Sequence, residues 1–214
     1  MSEDVKPRRA YNSTRRQEQA RQTRRAVLAA AHRLFVAEGY AGTTMGAVAA
    51  EAEVSVETVY KAFATKARLA KAVFDVAVVG DDEDIPMLQR ELVRVVGAEP
   101  DPRRKLLHYG RHLSEVAPRT GPILLVVRAA AASDPAAAEV WQQLQAERLT
   151  GMTAFAAHLA EGGHLRPGVS AEEARDVLWT HNSVELWDLL VNQRGWTDDR
   201  FGQWVAHQLA AALL

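Results

Sequence analysis

Apolar residues recur along this chain at the spacing of a helix face. Val27, Ala30, Ala31, Leu34 and Phe35 follow i, i+3, i+4, i+7 and i+8, which predicts an amphipathic helix from Thr23 to Glu38 with Gly39 as its left-handed stop. Thr43 or Thr44 then caps a short helix, Met45 to Ala52, and Ser55 caps another through Phe63. In each case a side-chain oxygen accepts backbone N–H groups that a first turn leaves unpaired. Thr65 caps a fourth helix with Leu69, Ala72, Val73 and Val76 on its inner stripe, and Gly80 with the acidic run at 81–84 reads as a loop.

Further along, proline and caps punctuate the pattern. Asp84-Ile85-Pro86, Asp101-Pro102 and Asp134-Pro135 place proline where a helix starts without losing a needed donor, and Ser170 with Glu173 forms a capping box. These signals predict helices near 86–98, 102–117, 121–132, 135–161, 171–193 and 198–213, joined by the segments RTG, EGGHLRPGV and RGWT. No segment alternates as a strand would. The expected fold is all-α.

Charge adds a division that the hydrophobic pattern does not show. The 214 residues carry a net charge of −1, but residues 1–75 hold +5 and residues 76–214 hold −6. Within residues 1–25 alone stand eight basic side chains against three acidic ones. Such an arm fits a contact with nucleic acid, or else a solvated tail. The expected organisation is a basic, flexible arm over 1–22, a DNA-binding domain over 23–69 and a helical domain over 70–214. Zero cysteines exclude disulfides, thiolate catalysis and cysteine-held metal. The charged N-terminus and the lack of any membrane-length apolar run point to a cytoplasmic protein, without a membrane partner.

The segment 45–63 is two short helices joined by a tight break, with Val48, Ala49, Val54, Val59 and Phe63 facing inward, which is a helix-turn-helix. Ala49 allows close approach of the two helices and Val54 plugs the turn. The second helix would then offer Val56, Glu57, Thr58, Tyr60 and Lys61 to a major groove.

Residues 30–69, AAHRLFVAEGYAGTTMGAVAAEAEVSVETVYKAFATKARL, resemble the N-terminal domain of the tetracycline-repressor (TetR) family of bacterial regulators. The resemblance is specific over residues 24–75 and architectural beyond them. It implies that Thr44, Tyr60 and Lys66 meet the DNA backbone, Lys66 at the positive end of its helix, and that Val56, Glu57 and Thr58 face base edges. Ser55 at the cap, with Arg24 and Arg25 at the start of the domain, completes the candidate contact set. Glu53 departs from the family, standing where glycine is usual, so that either the turn differs or the backbone bears about 1 kcal/mol. Glu57 needs a partner near a polyanion. Pairing with Lys61 one turn on is the favoured reading, and acceptance from a cytosine N4 amino group is the other.

The last two predicted helices are apolar on more than one face. Val184, Trp187, Leu190, Val191, Phe201, Trp204, Val205 and Leu209 therefore read as a homodimer interface, with a larger intramolecular core as the alternative. A twofold dimer implies double-stranded DNA with a palindromic operator. The resemblance also implies a cavity for a small-molecule effector, with no cofactor. Its candidate lining is Tyr109, His112, Arg128, Trp141, Trp179 and Asn182, each also readable as a satisfied core residue; His181 is a weaker candidate. His108 and His112 have metal-binding spacing but no third ligand, so no metal is expected.

No nucleophile elbow, phosphate loop or zinc-protease motif occurs, which argues against an enzyme. The function implied by the resemblance is a ligand-responsive repressor in the bacterial cytoplasm, associated with the nucleoid. A ligand-independent DNA-binding regulator and a helical protein-interaction module are the alternatives.

Overall fold

The computed structural model describes residues 9–80 and 91–214, and its contacts divide the chain into two compact units, Met1–Val73 and Phe74–Leu214. The described residues are helical, with no strand among them. In the first unit, α1 (Arg9–Gly42) precedes α2 (Met45–Glu51) and α3 (Val56–Phe63), and α4 (Lys66–Val79) carries the chain into the second unit, the division falling inside it. The sequence boundary at 69–70 lies one turn earlier. Within the arm expected over 1–22, the chain is helical from Arg9. Its Arg, Gln, Glu and Ala residues are strong helix formers, and Glu18 engages Arg21 and Gln22, each at 3.2 Å, along the same face. Residues 1–8 lie outside the described residues.

Gly39 interrupts α1 at φ 69°, ψ 179°, a conformation open to glycine and costly for other residues, so the chain kinks where a left-handed stop is expected. Thr43 Oγ1 donates to the Gly39 carbonyl at 2.8 Å and keeps that corner bonded. Val27, Ala30, Ala31 and Phe35 of α1 are buried, together with Val48 and Ala49 of α2, Val59 and Phe63 of α3, and Leu69 of α4.

The second unit contains α5 (Glu91–Ala98), α6 (Pro102–Ala130), α7 (Pro135–Glu161), α8 (Ala171–His181), the single turn α9 (Val184–Trp187), a π-helical turn (Asp188–Gln193) and α10 (Asp198–Leu213). Residues 86–90 of the helix expected at 86–98 lie outside the described residues. Two linkers are not where the sequence puts them. The RTG segment is inside α6, which runs unbroken through Pro118 and Pro122. Gly121 serves packing there, because a side chain at this position would enter the Trp187 ring. Conversely, the helix expected over 171–193 breaks at Asn182, and Ser183 re-caps the chain by accepting from Leu186 N at 3.4 Å.

One cluster fills this unit. Leu106, Tyr109 and Leu113 of α6, Met152 and Leu159 of α7, Leu178 of α8 and Phe201, Val205, Leu209 and Leu213 of α10 meet in it. The expected interface residues Val184, Trp187, Phe201, Val205 and Leu209 are at most 7% exposed, already covered by their own chain. Their wide apolar surface finds its partner in α6 and α8. Leu190, Val191 and Trp204 are only partly buried, and neighbouring Leu189 is 49% exposed.

Helices α6 and α10 touch backbone to backbone at Gly110 and Gly202, where a Cβ on either would run into the other's carbonyl oxygen. Gly110→Ala and Gly202→Ala are each expected to cost about 1–3 kcal/mol as overpacking, read from urea unfolding midpoints.

Lys105 is 2% exposed and gives its ammonium to the Val96 and Gly97 carbonyls, at 2.9 and 3.4 Å, capping the end of α5. His158 Nε2 lies 3.0 Å from the same nitrogen. Burial, then the charge of Lys105 and of His164, push the His158 pKa below its ordinary 6.5, against a smaller opposite effect of Glu161. The unfolded chain therefore takes up this proton first, and stability falls as pH drops below about 6.5. Unfolding midpoints measured between pH 7.5 and 5.5 are expected to decline more steeply in the wild type than in His158→Gln.

Candidate functional site

The turn between α2 and α3 satisfies backbone groups on both sides. At the end of α2, Val54 N donates to the Ala49 carbonyl at 3.0 Å and Glu53 N to that of Ala50 at 3.2 Å, the paired bonds of a Schellman motif. Glu53 is its left-handed residue, at φ 55°. The turn is therefore the ordinary one, and Glu53 carries the strain, on the order of 1 kcal/mol. At the start of α3, Ser55 Oγ accepts from Thr58 N at 3.2 Å and lies 3.0 Å from Thr58 Oγ1. The cap thereby fixes the direction in which α3 leaves the turn.

Val59 and Phe63 anchor α3 in the core, while Val56 and Tyr60 are 39% and 50% exposed. Glu57 and Lys61 are exposed beside them, with Thr58 half-buried. No ion pair joins Glu57 to Lys61. The polar groups at the start of α3, first the Glu57 backbone N–H and then the Ser55 hydroxyl, hold the Glu57 pKa below the usual 4.5. The carboxylate is thus stabilised by the donors of the helix's first turn rather than by the ammonium favoured from the i, i+4 spacing. The exposed stripe of α3 carries two apolar or aromatic groups, one carboxylate and one ammonium.

The other candidate contacts are anchored to the domain in different ways. Thr44 is exposed, and its hydroxyl caps α2 by accepting from Ala47 N at 3.0 Å. Arg24 lays its guanidinium over the Phe63 ring at 4.8 Å, whereas Arg25 is exposed. Lys66 is turned inward: its ammonium donates to the Tyr40 and Thr43 carbonyls at 2.7 and 3.1 Å and sits 4.2 Å from the Tyr40 ring centre. Lys66 therefore ties α4 to the α1–α2 corner, and periodicity could not have shown it.

Ala64, between α3 and α4, was not singled out from the sequence. It has φ 60° and ψ −48°, with Thr65 N donating to the Phe63 carbonyl at 2.6 Å, which is a γ-turn of the strained kind.

Of the candidate ligand-lining residues, three come together in the second unit. Tyr109 and Asn182 both reach the Met152 sulfur, at 3.4 and 3.8 Å, and Trp179 stacks on Arg148 with the guanidinium carbon 4.4 Å from the ring centre. Burial raises the Tyr109 pKa far above its ordinary 10. Arg128 is half-exposed and paired with Glu185 at 3.4 Å, because its stretch of α6 ends at the surface. Trp141 packs at the edge of the core, and burial lowers the His112 pKa from its ordinary 6.5. Arg148 was missed, although it left a signal: Val140, Leu144, Arg148, Met152 and Ala156 follow one another at steps of four, so an arginine interrupts an apolar stripe. Among the described residues no group of histidine, aspartate and glutamate gathers as a metal site.

Residues 27–73, which hold the helix-turn-helix, match the family model of bacterial regulatory proteins, tetR family. None of the curated proteins matches the sequence. Solved structures with the same fold include NalD, the secondary repressor of the MexAB-OprM multidrug efflux pump in Pseudomonas aeruginosa. It is 19% identical over 92% of this chain and 98% of its own, with a TM-score of 0.71. The transcriptional regulator FadR from Bacillus subtilis, in complex with stearoyl-CoA, is 14% identical over 88% and 98%, with a TM-score of 0.69.

Ala64→Gly is expected to relieve about 1–3 kcal/mol of backbone strain, less the entropy glycine adds to the unfolded chain, and to raise the unfolding midpoint. An unchanged or lower midpoint shows that Ala64 is not strained.

Proposed function

We propose that this chain, whose residues 27–73 match the tetR family of bacterial regulatory proteins, is a non-enzymatic, ligand-responsive transcriptional repressor. It acts in the bacterial cytoplasm as a homodimer on a palindromic operator. The observation that carries the reading is the exposed stripe of α3, held out by the Ser55 cap within a domain that matches the family. Val56, Glu57, Thr58 and Tyr60 meet base edges and sugar-phosphate, with Lys61, Thr44, Ser55 and Arg25 adding backbone contacts. Arg24 supports α3 through Phe63. Lys66 contributes through the backbone N–H groups that begin α4, its ammonium being occupied.

The part of the apolar surface left outside the core, Leu189, Leu190, Val191 and Trp204, is the proposed subunit contact. Release follows when a small molecule favours a conformation whose recognition helices no longer match successive grooves, by no more than its differential affinity for the two states. Among solved structures of this fold, NalD is a repressor and FadR is seen with stearoyl-CoA, which supports both halves of the reading. No described helix is long and apolar enough to cross a membrane.

Selection of the full chain against random duplex DNA, read by gel shift, is expected to yield an imperfect palindrome whose half-sites lie about 34–36 Å or a multiple apart. Binding no better than to non-specific duplex ends the regulator reading. Removal of residues 1–22 is expected to weaken binding and to flatten its dependence on salt, since fewer counterions are released; an unchanged slope shows that the arm is idle. Glu57→Gln is expected to change the bases preferred if the carboxylate reads cytosine, and to leave them unchanged if it only caps α3.

A further inference from the structure

Where α6, α7 and α8 meet, donors outnumber acceptors. Tyr109 Oη and Asn182 Nδ2 both give their hydrogens to Met152 Sδ, a weak acceptor, at 3.4 and 3.8 Å. Arg148 donates to the Asn182 carbonyl at 2.6 Å and to Gln145 Oε1 at 2.8 Å, and stacks on Trp179. Arg148 Nε and Trp179 Nε1 are buried and have no hydrogen-bond partner among the described residues.

Charge is unbalanced here as well. All the bonded partners of Arg148 are neutral, and Glu185, which acts on it through space, is itself paired with Arg128. Each buried N–H without an acceptor costs about 1–3 kcal/mol, and a guanidinium without a counter-charge costs more. A carboxylate would relieve both, since it brings a negative charge and about four lone-pair sites. Next to this cluster, and sharing Asn182 with it, lies a cavity of about 60 Å³ walled by Leu113, Leu124, Trp187 and Phe201. That space is a few times what one water molecule needs, and its walls are mostly apolar, with Thr120, Ser183 and Asn182 as the polar exceptions.

We infer that Arg148, Trp179, Asn182 and Tyr109 form a receptor for the carboxylate of a small amphipathic organic acid, whose apolar end occupies the adjoining cavity. The carboxylate takes the free N–H groups of Arg148 and Trp179 and replaces Met152 Sδ as the acceptor for Tyr109 or Asn182. This inference gives the effector of the proposed repressor its chemical class, and rests on that reading only for the regulatory consequence, because binding is measured without DNA.

The test is titration calorimetry of the full chain at pH 7 with hexanoate and benzoate, against hexanamide and benzamide of the same shape. The acids are expected to bind once per chain and the amides about tenfold or more weaker, the size of a charge-assisted hydrogen bond. Arg148→Met, which keeps the apolar stem, is expected to lose at least about tenfold for the acids and nothing for the amides. Should Arg148→Met fail to fold, the comparison of acid with amide on the wild type decides, together with loss of acid binding in Trp179→Phe. Equal binding of acids and amides, no binding of either, or undiminished acid binding by a folded Arg148→Met overturns the inference. Failure to select an operator sinks the regulator reading instead and leaves these titrations to stand on their own.

Discussion

The helix-turn-helix unit of this protein depends on how the chain satisfies its backbone over four residues, Ala52 to Ser55. Two N–H groups close the last carbonyls of α2, and one serine oxygen takes a free donor of α3. Without both, two helices of seven and eight residues would be too short to hold themselves, because helices of that length are marginal in water. Tertiary burial of Val48, Ala49, Val59 and Phe63 does the remaining work. The outward residues of α3, Val56, Glu57, Tyr60 and Lys61, take no part in that burial.

In the second unit the constraint differs. A close glycine crossing of α6 and α10 draws a wide apolar surface together, and polar groups inside it are tolerated only where they find partners. Lys105 finds them in the last carbonyls of α5. Arg148 finds only some, and what it lacks separates a receptor from a core. The two buried cations show the same rule with opposite outcomes: a helix end can absorb an ammonium, whereas a planar guanidinium on an indole leaves an edge unspent.

Most of the helix-turn-helix was legible in the sequence, since caps and apolar stripes are local signals. Thr44, Ser55 and Thr65 cap where they were expected, and Gly39 and Glu53 are left-handed as the turn chemistry requires. Misreadings arose where a distant contact overrode a local cue. Pro118, Gly121 and Pro122 look like a break, yet α6 runs through them, and Gly121 leaves the room that the Trp187 ring fills. Lys66 reads as a phosphate contact, and its ammonium also donates hydrogen bonds to carbonyls 26 and 23 residues away. The apolar width of α10 leaves a related question to the structure: periodicity tells that a face is buried and not by which chain.

The π-helical turn from Asp188 to Gln193 has a consequence for how this region tolerates change in length. A π turn holds one residue more than an α-helical turn over the same path, and the Asp188 carboxylate fastens it by taking the Asn192 and Gln193 amides at 2.9 Å each. Losing one residue there would turn the bulge into ordinary helix while the chain on either side keeps its direction, because the surplus is absorbed within the turn itself. The partly exposed Leu189 to Val191 patch therefore owes its orientation to a surplus residue, and the loss of a single codon would re-aim it while leaving α10 and the core that follow in place.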